Sequence, residues 1–209
     1  MNKILFFDIE TEGNPEAIKF MPDVSAPANY KDPDKIEAYI EDKKQEQIER
    51  AALDADYGRI VAIGLKVNDS KIVSYTATKT SQLDEKEIIK IFWNFYASSY
   101  GMSCGYNIIG FDLPYLQRRS FALGIKPSMQ PDLRRYQTNP TLDLMMVLYG
   151  WQNFKGLKFV AERYGLDNPL PELDGSLVKH MDDLTLEAYV ENDVHLVYQL
   201  YQKMYGIYF

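Results

Sequence analysis

Cysteine is almost missing from this chain: Cys104 stands alone among 209 residues. One thiol cannot build an intramolecular disulfide framework, and it fits a reducing compartment. Cys104 itself reads as a small buried hydrophobe. Histidine is nearly as scarce, with only His180 and His195. No apolar run approaches the roughly 18–20 residues that a membrane span needs. The apolar stretch at Lys3–Ile9 is short, ends in acids and lacks a small-residue cleavage site, so it is no secretory signal. The expected setting is cytoplasmic, with no membrane contact. An excess of positive charge is missing too, since the formal net charge is −7. That excludes a general nucleic-acid coat, which needs clustered Lys and Arg. It does not exclude an enzyme that takes a strand end into a cleft, where bound cations would neutralise acidic ligands.

What is present suits a globular chain. Hydrophobic residues make up 46% and charged residues 25%, and 16 Tyr and 10 Phe supply a core. The length suits one domain with an insertion, taken here as 1–209 with the insertion at about 13–57. Charge is unevenly spread. Between Gln117 and Tyr164 stand Arg118, Arg119, Lys126, Arg134, Arg135, Lys155, Lys158 and Arg163, against Asp132, Asp143 and Glu162.

The near-continuous apolar run Lys3–Ile9 predicts a strand buried on both faces. Asp8 and Glu10, two apart, leave the same face of that strand. From Gly13 to Tyr57 the chain changes character. Four prolines break its first half, and Asp32-Pro33 then opens a charged helix with a thin apolar stripe. Arg59–Val67 and Lys71–Thr76 predict a hairpin across Asn68-Asp69-Ser70. A helix follows over Asp84–Ser99, then a short strand at Met102–Tyr106 and a helix over Pro114–Leu123. Thr141–Asp143 reads as a short strand running into a helix. Leu157–Tyr164 is a helix stopped by Gly165, and Leu184–Tyr205 is the last helix. This order predicts an α/β fold with a five-stranded mixed sheet flanked by helices, and a helical insertion between strands 1 and 2. The loop 125–140 is long enough to have a function of its own.

The last helix has an informative stripe. Tyr189, Asp193, Leu196, Val197, Leu200 and Met204 follow helical spacing, so Asp193 faces inward among apolar residues. A buried lone carboxylate needs a cation or a proton. Tyr189 lies one turn earlier on the same face. Asp112 follows a short strand. The candidate ligands are therefore all oxygens, from Asp8, Glu10, Asp112 and Asp193, with neither histidine among them. Such a set suits Mg²⁺ or Mn²⁺ rather than Zn²⁺.

Phe7-Asp8-Ile9-Glu10-Thr11, Asn107 to Phe111-Asp112, and Tyr189-Val-Glu-Asn-Asp193 follow one another in a set order. Each is weak evidence alone; together they resemble the DEDD superfamily of 3′→5′ exonucleases, with the third motif in its tyrosine form. The run Asp112-Leu-Pro-Tyr-Leu-Gln-Arg118 and the run Leu157-Lys-Phe-Val-Ala161 are similar to the proofreading domains of family B DNA polymerases. The resemblance covers Met1–Ile9 and roughly Arg59 onward, and it implies a ribonuclease H-like fold. It also implies a two-metal hydrolysis of DNA, preferably single-stranded, from the 3′ end to nucleoside monophosphates. Asp8 would bridge two Mg²⁺ (or Mn²⁺) ions. Glu10 and Asp193 would complete the site of the attacking water, and Asp112 would support the second ion through water. Tyr189 would orient the nucleophile, since its ordinary pKa near 10 makes it a poor base. Asn107 and Phe111 would shape the terminal-nucleotide pocket. Thr11, Lys155 and Lys158 are candidate substrate contacts, and the two lysines read equally well as surface charge. Asp143 reads either as a supporting acid or as a helix N-terminal residue. The motifs do not select the sugar, so RNA stays open. A catalytically silent nucleic-acid-binding module on the same fold, or a protein-interaction module built around the insertion, is the alternative. The insertion helix at Lys35–Arg50 is expected over the substrate entrance or at a surface for a replication or repair partner.

Overall fold

The computed structural model describes residues 3–209. Met1 and Asn2, where the resemblance begins, lie outside the described residues. The chain falls into two compact units. One comprises the chain up to Glu10 together with Ile60–Phe209; the other is Thr11–Arg59.

The sheet has five strands in the order β3-β2-β1-β4-β5. They are β1 (Leu5–Gly13), β2 (Gly58–Val67), β3 (Val73–Thr76), β4 (Ser103–Gly105) and β5 (Thr141–Asp143). β2 and β3 form the expected antiparallel hairpin, with Ala62 opposite Thr76 and Leu65 opposite Val73. β4 runs parallel to β1, with Phe6 level with Cys104. β5 runs parallel to β4, with Gly105 level with Asp143. The sheet is therefore mixed, and β1 lies at its centre. A centre strand is covered on both faces, which is why Leu5–Phe7 is continuously apolar and buried.

Helices cover both faces. α3 (Glu85–Ser98) is opened by Asp84 and Glu87, each side chain holding the other residue's backbone N–H. Phe92 of α3 meets Phe7 edge-on at 5.0 Å. α4 (Asp112–Ala122) joins the same layer, where Trp93 Nε1–H donates to Ser120 Oγ at 2.8 Å. The next residue back along β1 faces the other way. Phe6 meets Tyr198 and Tyr201 of α7 (Asp183–Met204) at 5.1 and 5.0 Å. α5 (Leu144–Tyr149) and α6 (Leu157–Tyr164) complete that second layer. Val160, Val194, Val197 and Leu200 pack there with Phe6, Cys104 and Leu142. Fully burying each such side chain contributes about 1.5–3 kcal/mol.

One close approach seats α7. A Cβ at Gly64 of β2 would lie 2.9 Å from the Val190 carbonyl and 2.8 Å from Val194. Glycine lets the helix backbone sit directly on the sheet. Asp193, between those two valines in sequence, is thereby held at a fixed height over β1.

The Thr11–Arg59 unit is built differently. α1 (Pro15–Ile18), which the sequence did not announce, is one turn capped by Asn14. α2 (Pro33–Arg50) starts where Asp32-Pro33 places it, with the Asp32 side chain accepting from Asp34 N–H. No residue of α2 is buried. Inside this unit Arg59 Nε donates to Glu12 at 2.8 Å.

Candidate active site

Alternation along β1 decides the site. Phe6, Asp8 and Glu10 leave the face that α7 covers; Phe7 and Ile9 leave the other. Asp193 arrives on α7 from above. Ligand oxygens of Asp8, Glu10 and Asp193 all lie within 4.8 Å of one another. Glu10 and Asp193 are buried and Asp8 is partly so.

Asp112 is the fourth acid, at the start of α4 and 3% exposed. Its Oδ1 accepts the backbone N–H of Ile9 at 3.2 Å, which ties the second motif to the first. α4 begins at Asp112, two residues earlier than its proline suggested. Pro114 falls in the first turn, where a missing N–H costs nothing. The turn before it is tight. Asn107 has a φ of +66°, and its carbonyl accepts from both Gly110 and Phe111 N–H. A Cβ at Gly110 would meet Asn107 Oδ1 at 2.4 Å. Asp143 holds this turn from β5: its carboxylate accepts from Asn107 N–H at 2.9 Å and Ile109 N–H at 3.0 Å. The same carboxylate caps α5 through Met145 N–H at 3.1 Å. Asp143 therefore sits at a helix N-terminus and holds the turn, outside the Asp8, Glu10 and Asp193 group, while its charge reaches Asp112.

Burial raises all four acids, and it raises Asp143 beside them. Burial, and then repulsion from Asp112, Glu10 and Asp193, pushes Asp8 well above the usual carboxylate range. Burial and the charges of Asp193 and Asp112 do the same to Glu10. Burial, with repulsion from Asp143, pushes Asp112 up to about 8. Asp193 is pushed up to about 6 by burial, while Lys158 and Tyr189 pull it down. Asp193 Oδ1 is buried without a hydrogen-bond partner. Burial and the charges of Glu10, Asp193 and Asp8 push the Tyr189 hydroxyl far up, so it stays protonated at any working pH.

Lys158 of α6 belongs here. Its ammonium is buried without a hydrogen-bond partner. It lies 5.2 Å from the centre of the Tyr189 ring, and its charge lowers Glu10 and Asp193. Lys155 does not join it: that ammonium lies over Phe159, 5.6 Å from the ring centre. Thr11 spends its hydroxyl on the Ala52 carbonyl at 2.8 Å. Phe111 packs on Tyr115 with ring centres 5.3 Å apart and remains partly exposed. Neither histidine is in the acid cluster. The basic stretch is also less free than its composition suggests. Arg119 is buried in a two-pronged pair with Glu85, at 2.7 and 2.8 Å, and Arg134 is tied to Asp132.

Among the described residues Lys158 is the cation whose charge reaches Glu10 and Asp193, so the four acids outnumber it, and one Asp193 carboxylate oxygen lacks a hydrogen-bond partner. Oxygen-only donors at this spacing suit hard divalent cations such as Mg²⁺ or Mn²⁺.

Comparison with known proteins agrees. No curated protein matches the chain. Among solved structures, the family B DNA polymerase from the hyperthermophilic archaeon Pyrobaculum calidifontis superposes with a TM-score of 0.59 at 21% identity. The match covers 98% of this chain and 24% of the polymerase, so the chain spans about a quarter of that protein. At that identity the likeness shows the fold, a ribonuclease H-like sheet with helices on both faces. A family model described as a predicted 3′–5′ exonuclease related to the exonuclease domain of PolB matches residues 51–207. That span contains Asp112, Tyr189 and Asp193, while Asp8 and Glu10 lie before it. Well over half of the chain is matched, and the chain belongs to this family of exonuclease domains related to that of PolB.

Proposed function

We propose that this chain hydrolyses DNA from the 3′ end, releasing nucleoside 5′-monophosphates, with two Mg²⁺ or Mn²⁺ ions held by Asp8, Glu10, Asp193 and Asp112. The observation behind this reading is the convergence of Asp8, Glu10 and Asp193 oxygens within 4.8 Å of one another. Their protons are retained abnormally strongly while no cation replaces them. Asp112 adds a fourth acid, fixed by Ile9 N–H, whose charge reaches Asp8 and Glu10. Two divalent ions in such a set supply an acidified water and charge neutralisation at the leaving oxygen.

The protein's own groups do the rest. Water attacks the last phosphorus, the bond to the 3′ oxygen of the penultimate nucleotide breaks, and that oxygen takes up a proton. Tyr189 keeps its proton and so acts as a donor that orients the attacking water, not as a base. Lys158 lies beside Glu10 and Asp193 as a buried cation, and an incoming phosphate gives its ammonium the partner it lacks. Asn107 and Phe111, at the turn before Asp112, shape the terminal-nucleotide pocket. Thr11 and Lys155 contact substrate through backbone or after rearrangement, because the Thr11 hydroxyl is bound to Ala52 and the Lys155 ammonium lies over Phe159. A single strand is the preferred substrate, because its 3′ terminal nucleotide needs no unpairing. The insertion helix α2, with no buried residue, is the surface we assign to a replication or repair partner. The proposed compartment is the cytoplasm; among the described residues no helix is long and apolar enough to cross a membrane.

The test uses 3′- and 5′-labelled DNA and RNA oligonucleotides with Mg²⁺, Mn²⁺ or EDTA. A 3′ label should appear at once as mononucleotide, and a 5′ label as a shortening ladder, only with metal. Degradation that persists in EDTA, or that starts at the 5′ end, contradicts the proposal.

A further inference from the structure

One cluster at the surface, with Arg135 and Tyr136 exposed and Trp151 half-buried, is not used by the site described above. Arg135 and Tyr136 stand in the long 125–140 loop, and Trp151 stands in the turn between α5 and α6. The Arg135 guanidinium lies over the Trp151 ring, 4.8 Å from its centre. Tyr136 meets the same ring edge-on at 5.8 Å. Tyr136 is 84% exposed and has a φ of +65°. A bulky aromatic in the left-handed region is strained, and this one buries little in return. Gly150 and Asn153 also have positive φ, at +67° and +60°, so two left-handed residues bracket the turn that presents Trp151. Arg134 is neutralised by Asp132. Arg135 has no carboxylate partner among the described residues.

We propose that Arg135, Tyr136 and Trp151 form a stacking platform for the single-stranded part of the substrate upstream of the scissile bond. The proposal rests on the exonuclease reading and extends it to the substrate class. Aromatic faces accept any base, and an unpaired guanidinium suits a neighbouring phosphate or base. A chain of net charge −7 gains little from general attraction to phosphate, so its grip must come from such local contacts. The platform is also tethered to the site. Four residues after Trp151, the Lys155 carbonyl accepts the Tyr106 hydroxyl at 2.6 Å, and Tyr106 adjoins Asn107. Four residues reach at most about 14 Å, or about four nucleotides of stacked strand at about 3.4 Å each. Three residues further on, Lys158 enters the acid cluster.

Only two tryptophans are present, and Trp93 is buried with its indole N–H bound to Ser120. Contact quenching of the intrinsic fluorescence therefore reports Trp151, with the Trp151→Phe protein giving the Trp93 background. In Ca²⁺, an oligothymidylate of about twelve nucleotides should quench it, and a blunt duplex should not. Under Mg²⁺, Trp151→Ala should raise KM for that oligomer roughly 10- to 100-fold, with kcat and trinucleotide hydrolysis unchanged. Trp151→Phe should retain most of the affinity. Arg135→Gln, an exposed change that spares the fold, should raise the same KM by a smaller factor. An oligomer that binds and is hydrolysed without quenching, at an unaltered KM in Trp151→Ala and Arg135→Gln, overturns the platform while leaving the exonuclease in place. Quenching by the oligomer in a protein that hydrolyses nothing supports the platform and removes the exonuclease. Failure of any oligomer to bind, with capture of a protein at this face instead, overturns the platform.

Discussion

Two groups of buried acid in this molecule are built on opposite plans. Glu85 is 9% exposed, and its carboxylate accepts two hydrogen bonds from buried Arg119 and another from Ile60 N–H at 2.9 Å. Charge and hydrogen-bonding capacity are both met from within the chain. Asp8, Glu10, Asp112 and Asp193 crowd together with Lys158 as their one nearby cation among the described residues, and every one of them is pushed toward its protonated form. The first arrangement is complete and serves the fold. The second is incomplete without added positive charge, which is what a site for divalent cations requires before they bind.

Substitutions should therefore have opposite effects at the two places. The largest effect is on turnover. Asp8→Ala should remove at least about 10⁴-fold of single-turnover hydrolysis, about 5.5 kcal/mol of barrier, while its far-ultraviolet spectrum stays that of the wild type. Residual hydrolysis above a tenth of the wild-type rate would erase the distinction. Glu85→Gln should do the reverse. It removes the carboxylate charge that takes two hydrogen bonds from buried Arg119, at a cost of about 3–5 kcal/mol of stability, read as a lower urea midpoint. In whatever fraction stays folded, turnover should survive.

Tyr189→Phe comes next. Loss of the hydroxyl should slow single-turnover hydrolysis roughly 10- to 1,000-fold, about 1.4–4 kcal/mol, with substrate affinity little changed. A wild-type rate when chemistry is limiting would reduce Tyr189 to a packing residue.

The smallest effect is a slope. Folded Asp193 and Asp112 release protons near 6 and 8, against the ordinary 3.8. Between pH 4 and 8 the native chain thus holds protons that the unfolded chain has lost, so these groups favour folding below pH 4 and progressively less as pH rises. In EDTA, the wild type should lose stability from pH 5 to 8 more steeply than Asp112→Asn does. Equal slopes would mean that the acids are not crowded.

How far the sequence foretold this depends on the range of the interaction. β1 was legible as a near-continuous apolar run and α7 by its helical period, and the acids fall where strand alternation and helix spacing face the partner element. α4 was misplaced by two residues because Pro114 looks like a start, whereas the Asn107–Gly110 turn sets it. That turn is held by Asp143, 34 to 36 residues away, and no local pattern reports such a bond. Lys158 was ambiguous for a similar reason: α6 has only eight residues, too few for its stripe to tell an inward lysine from a surface one. Arg119 looked like one more surface charge until Glu85, 34 residues earlier, came to lie against it. The Thr11 hydroxyl looked available because nothing near it in sequence competes, yet Ala52 takes it.

The central claim is that the crowded acids bind divalent cations. A Mn²⁺ titration of the wild type and of Asp8→Asn, followed by bound metal and by melting temperature at pH 7.5, tests it most directly. The wild type should bind Mn²⁺, release protons as it does so and melt higher as sites fill. Asp8→Asn should bind at least tenfold more weakly, and in EDTA it should melt above the wild type because one buried, crowded ionisable group has gone. Equal Mn²⁺ binding by the two proteins, or a wild type whose melting temperature ignores Mn²⁺, would contradict the account.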